Sequence, residues 1–238
     1  MQPNQTARRN EMTASVGIGQ LPAADSGERS MKTVAQHIPA YSYGTAQVPK
    51  SPVSMREFVE LQTSAGFPDE ELRYLRLAGE VLRGRTRQIL EHRRAGIIAG
   101  IPNLARHSRA PEGDVLPEYP AKSNLRFEQW ILDTCLRAYD QDWINYQQEI
   151  ALRHTSAKKN QTDSVRSTPY VPLRDIIAFV TVLNETIRPY LAGKGNPAEE
   201  VDGMHRAWVQ VAASATRALD ARVFRPRRMV TNETQTFY

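Results

Sequence analysis

Apolar residues along most of this chain return every third or fourth position, and no segment alternates apolar with polar for the length of a strand. Such segments each bury one stripe, so the chain must pack helix on helix: the fold class is all-α. Leu72, Leu75, Val81, Leu82, Ile89 and Leu90 keep the spacing on the way to Gly100. Leu125, Phe127, Trp130, Ile131 and Leu132 keep it over Lys122 to Arg137, Ile176 to Ile187 repeat it, and Val201, Met204, Trp208, Val211 and Ala215 close the series. Boundaries read this way are good to a few residues and give about seven to nine helices.

Punctuation refines the pattern. Ser54 and Glu57 have capping-box spacing and start a short helix, and Pro68 with Asp69, Glu70 and Glu71 opens the next. A break is expected near Gly79 or Gly84, and Pro102 ends that stretch. Ala105 to Pro120 and Asn160 to Tyr170 read as loops, Pro172 takes a first-turn position, Pro189 terminates its helix, and Asn196 with Pro197 opens the last. Residues 1–37 are polar and aperiodic and are expected to be a disordered tail; 38–224 form the folded domain, and 225–238 a basic, polar tail.

Composition removes several functions. With 238 residues, 40% of them hydrophobic, the chain can bury one sizeable core. No apolar run is long enough for a bilayer and no secretory pattern opens the chain, so a cytoplasmic protein without a membrane partner is expected. The net charge of +5 is dispersed among 26 acidic residues, which argues against nucleic acid; the one local concentration is Arg222, Arg225, Arg227 and Arg228. The single cysteine, Cys135, lies in an apolar helical stretch and reads as a core residue.

At helical spacing, Trp143, Gln147, Ile150, Ala151 and His154 share one face. An imidazole on an apolar wall has two readings: a core histidine satisfied by a backbone carbonyl, or a neutral ligand to a metal such as the iron of a porphyrin.

Several stretches resemble the protoglobins, single-domain haem proteins related to the sensor globins: IPAYSYG (Ile38 to Gly44), KSP (Lys50 to Pro52), WILDT (Trp130 to Thr134), the His154 segment, PLR with IIAF (Pro172 to Phe179), and GMHRAW (Gly203 to Trp208). They occur in the right order from about Ile38 to Phe224. The resemblance implies a globin-like helical sandwich with an extra N-terminal helix and preceding segment that help enclose haem b. It also implies His154 as proximal ligand to the iron, Phe127 and Phe179 as aromatic pocket walls, and Tyr146, Ile150 and Ile176 as proximal packing. Dimers through the last two helices are usual in the family, and Ala207, Ala212, Ala213, Ser214, Ala215 and Ala218 would permit a close homodimer contact.

One departure stands out. Where the family usually carries adjacent Trp and Tyr above the distal face of the haem, this chain has Arg93 and Arg94. Two guanidiniums imply a more polar or rearranged ligand pocket, and neighbouring positions on a helix point about 100° apart, so one of the two should face the haem while the other reaches a propionate or solvent. His92 and His107 are read as solvated, with capping of the iron as the alternative; His37 and His205 receive no role. The function implied is a haem globin that binds diatomic gases, with oxygen, carbon monoxide or nitric oxide as ligand. The alternatives are a haem enzyme with nitric oxide dioxygenase, nitrite or peroxide chemistry, or a gas sensor acting through a partner. A haem-free helical module fits less well, because the proximal histidine and both pocket phenylalanines are retained.

Overall fold

The capping box at Ser54 is formed: its Oγ accepts from the Glu57 N–H at 3.3 Å while the Glu57 carboxylate accepts from the Ser54 N–H at 2.8 Å. From there the computed structural model, which describes residues 37–67 and 69–218, is helical. The helices are α1 (Met55–Ser64), α2 (Asp69–Leu82), α3 (Thr86–Glu91), α4 (Pro102–Ala105), α5 (Glu118–Leu136), α6 (Gln141–Leu152), α7 (Lys159–Asp163), α8 (Leu173–Leu191) and α9 (Ala198–Ala218). A π-helical stretch, His92–Ile97, and a 3-10 turn, Ile98–Gly100, continue α3. The one β element among the described residues is an isolated antiparallel bridge between Arg109 and Val115.

The apolar stripes of α2, α5, α8 and α9 meet in one core, where Leu75, Leu82, Ile131, Leu183, Met204 and Trp208 are all buried. Each large apolar side chain removed from water there contributes roughly 1.5–3 kcal/mol before chain entropy is counted. Trp208 satisfies its indole N–H on Asn184 Oδ1 at 3.0 Å, so the ring can be buried without an orphaned donor. The chain break falls at Gly84, whose φ of +80° suits glycine. Gly79 instead stays helical, because a Cβ there would lie 2.5 Å from Leu136 Cδ2: it is where α2 crosses close over α5.

The N-terminal helix braces the rest. Phe58 of α1 is fully buried against Trp143 of α6 and Ala215 of α9. The segment ahead of it is tied down as well: Tyr41 donates to Asp133 Oδ2 at 2.5 Å, Arg126 donates to the Pro39 carbonyl, and Tyr41 and Tyr43 meet the Tyr146 ring edge-on at 5.5 and 5.3 Å.

Several boundaries differ from the sequence reading. Pro102 opens α4 at its first turn, where a missing N–H costs nothing, instead of ending a helix. Pro120 likewise sits in the first turn of α5, which begins before the expected Lys122. Pro189 lies inside α8, which runs two residues further to the fully buried Leu191. Asn160 to Tyr170 is not all loop, since α7 enters it. The expected tails, Pro68, Phe224 and the arginines from Arg222 onward lie outside the described residues. No helix among the described residues is long and apolar enough to cross a membrane.

Candidate functional site

Between α5, α6, α8 and the π-helical stretch lies a cavity of about 550 Å³, within the range of roughly 300–1,000 Å³ usual for ligand pockets. Every candidate site residue from the sequence borders it: Arg93, Arg94, Phe127, Tyr146, Ile150, His154, Ile176 and Phe179. Two members of the expected His154 face do not. Trp143 turns to Phe58 and Tyr139, and Ala151 packs with Val171 and Ile176.

His154 stands two residues beyond the end of α6, not on the helix itself. Three hydrogen bonds hold it there. Its N–H donates to the Ala151 carbonyl at 3.0 Å, its carbonyl accepts from Val171 at 2.8 Å, and its Nδ1 lies 2.7 Å from the Ile150 carbonyl. A carbonyl can only accept, so Nδ1 carries the proton and the neutral ring keeps its lone pair on Nε2. By surface area His154 is half-buried, yet it lies deep among protein atoms, because the area it keeps is cavity wall. Burial first, then the charges of Lys159, His107 and Arg153, push its pKa down to about 4, against the opposing pull of the Ile150 carbonyl. The site therefore presents a neutral, oriented imidazole at physiological pH. A carbonyl satisfies Nδ1, as a core histidine requires, and Nε2 has no hydrogen bond among the described residues, a state compatible with either reading.

Arg93 is buried between two aromatic rings, its guanidinium carbon 4.7 Å from the Phe127 centroid and 5.3 Å from that of Phe179. Its Nη2 donates to the Phe179 carbonyl at 3.3 Å, and its Nε has no partner among the described residues. Desolvation, with Arg94 adding to it, pushes its pKa down to about 9, which still leaves it charged at neutral pH. Arg94 donates to Ser123 Oγ at 3.0 Å, and its Nε is also unpartnered; burial lowers its pKa, with the Tyr119 phenol acting in the opposite sense. The sequence leads one to expect one arginine at the haem and the other at a propionate or solvent. Both border the cavity, Arg93 on the phenylalanines and Arg94 toward Ser123 and Tyr119, in a π-helical stretch whose widened turn places consecutive residues differently from an α-helix.

His107, expected in solvent, is buried. Its Nε2 donates to Asp175 Oδ2 at 2.8 Å and its Nδ1 accepts from Thr168 Oγ1 at 2.9 Å, so neither nitrogen is free for a metal. Burial lowers its pKa while Asp175 opposes that shift. His92 is exposed beside Tyr190, as expected, and does not border the cavity; His205 donates to the Asn184 carbonyl.

Lys159 and Tyr119 also border the cavity, with no signal of it in the sequence. Lys159 is 2% exposed, its Nζ donates to the His107 carbonyl at 3.2 Å and lies 5.2 Å above the Tyr119 ring, and burial pushes its pKa down to about 8. In a stretch reading SAKKNQ nothing marks one of two lysines as internal. Trp130 and Gln147 also border the cavity, joined by the indole N–H donating to Gln147 Oε1 at 3.1 Å; their helical spacing announced core, not cavity wall.

Among the described residues no group of three His, Cys, Asp or Glu side chains could hold a metal ion. A metal here would come inside a cofactor that needs one axial protein ligand, and the donor set fits that: one imidazole nitrogen, aromatic and aliphatic walls, and buried cations to meet acidic substituents. A family model described as Protoglobin matches residues 54–215, a span from the N-cap of α1 into α9 that contains all the candidate site residues above. No curated protein matches the chain.

Proposed function

The chain belongs to the protoglobin family, a family of globin-type haem proteins, and from that premise we propose that it holds haem b in the cavity with His154 Nε2 as proximal ligand and binds a diatomic gas such as oxygen, carbon monoxide or nitric oxide. The observation that carries the reading is the Nδ1 hydrogen bond to Ile150, which fixes the tautomer and aims the lone pair of a ring already kept neutral by burial. When bound, haem supplies the iron chemistry of reversible gas ligation.

The chain's own residues supply the rest. Phe127, Phe179, Ile150 and Ile176 offer apolar walls that keep bulk water from the metal side, and Tyr146 of α6 joins them to Tyr41 and Tyr43 of the N-terminal segment. Arg94 and Lys159, which make no ion pair within 4.0 Å among the described residues, are the cations placed to receive the cofactor's carboxylates, whereas Arg126 and Arg153 are already committed to Asp163 at 2.6 Å and Glu149 at 2.9 Å. Visible spectra of the haem-loaded protein in ferric, ferrous and carbon-monoxide-bound states test the reading. A stoichiometry of one haem per chain with a histidine-type ferrous spectrum is expected. A protein that takes up no haem, or a His154→Ala variant with wild-type uptake and spectra, would contradict it.

A further inference from the structure

Cations around this cavity are of two kinds. Arg126 and Arg153 are ion-paired, which shows that carboxylates can be placed here, yet among the described residues Arg93 forms no ion pair although it is only 6% exposed. Its single hydrogen bond goes to a backbone carbonyl, and its Nε is unpartnered. A buried charge without an answering charge is destabilising, and a second guanidinium on the next residue makes it more so. The planar fork of a guanidinium pairs best with a small anion that offers two acceptor atoms, and the Phe127 and Phe179 rings restrict its motion.

We infer that Arg93 makes this wall of the cavity a binding site for a small inorganic anion of the nitrite or azide class, held beside the haem. The inference rests on the proposed haem site, but its anion chemistry is carried by Arg93 alone. Arg94 and Lys159 gather around Tyr119 and Ser123, and can serve the cofactor's carboxylates without Arg93.

Optical titration of the ferric, haem-loaded protein with azide and with nitrite provides the test, with carbon monoxide on the ferrous form as the uncharged comparison. In Arg93→Met, azide and nitrite should bind roughly tenfold to a hundredfold more weakly, the loss expected for a deleted charge-assisted hydrogen bond, while carbon monoxide affinity changes by less than about threefold. Arg93→Lys should retain part of the anion affinity, and Arg94→Met most of it. Equal anion affinities in wild type and Arg93→Met would overturn the inference. So would loss of haem from Arg93→Met with unchanged azide binding to the fraction retained, since Arg93 would then clamp a carboxylate of the cofactor. The haem-free protein gives an independent arm: nitrite, against chloride at equal ionic strength, should raise the melting temperature of wild type and not of Arg93→Met. If the protein takes up no haem, that arm alone decides, and no shift in wild type would overturn the anion site as well. Arg93→Met without anion should melt at or above wild type, because an unpaired buried charge is replaced by an apolar chain of similar length; a much lower melting temperature would mark Arg93 as a structural cation and overturn the inference.

Discussion

At His154 one carbonyl decides what the side chain can do. With Ile150 accepting from Nδ1, the ring is locked in a single neutral tautomer, and protonation would place a charge beside Lys159 and Arg153. The sign of the resulting pH dependence is fixed. The ordinary histidine value is 6.5 and the folded value about 4, so between them the unfolded chain binds more protons. The stability tied to the neutral ring is full above 6.5 and is lost as pH falls toward 4, amounting at pH 5 to about 2 kcal/mol. Urea unfolding of the haem-free protein at pH 7 and pH 5 should show wild type losing about 2 kcal/mol more than His154→Gln. Identical losses would mean that the folded histidine is not held neutral. His154 was legible in the sequence because an imidazole closing an otherwise apolar face is unusual. Its position past the helix end was not, since nothing in LRHTS marks Leu152 as the last helical residue. Lys159 and His107 were illegible for a related reason: their burial is created by partners that lie far off in sequence, Tyr119 for the first and Asp175 for the second.

The elements that could be read from sequence were those whose signals are local. The capping box of α1 and the long apolar stripes of α5, α8 and α9 need no knowledge of neighbours. The π-helical stretch at His92–Ile97 could not be read, because its sequence, HRRAGI, has no local feature that distinguishes a widened turn from an ordinary one. Gly79 shows how packing overrides local preference. Alanine is the better helix former by about 1 kcal/mol, but a methyl group at this position meets Leu136 Cδ2 at 2.5 Å and Cys135 Cβ at 2.8 Å, and overpacking of that kind costs roughly 1–3 kcal/mol. Gly79→Ala should therefore destabilise the protein by about 1 kcal/mol in denaturant unfolding, despite its helix propensity. A stabilised variant would show that α2 and α5 separate easily at their crossing.

For the whole molecule, helix order and the absence of alternating strands were enough to read the all-α fold, while the cavity needed three dimensions. Its walls come from α5, α6, α8 and the π-helical stretch, and Phe127, Trp130, Ile150, Ile176 and Phe179 look like ordinary core when a single helix is considered. Of the small residues of α9 expected at a dimer contact, Ala207, Ala212, Ser214 and Ala215 are buried among the chain's own helices, while Ala213 is partly exposed. We propose a homodimer through the last two helices, whose outward positions include the exposed ion pair of Arg188 on α8 and Asp202 on α9. Sedimentation velocity should give a mass near twice 26.9 kDa. A single species at 26.9 kDa would remove the dimer from the account and leave the site untouched.

We propose His154 Nε2 as the protein's one ligand to haem iron. It is tested most directly with His154→Gly, which empties the side-chain position while Ile150, Phe127 and Phe179 stay in place. Spectra of the haem-reconstituted variant with and without free imidazole make the measurement. The wild-type ferrous and carbon-monoxide-bound bands should be lost in the variant and return when imidazole enters the vacated position. Wild-type bands in His154→Gly without imidazole would contradict it, because the iron would then be held by another residue.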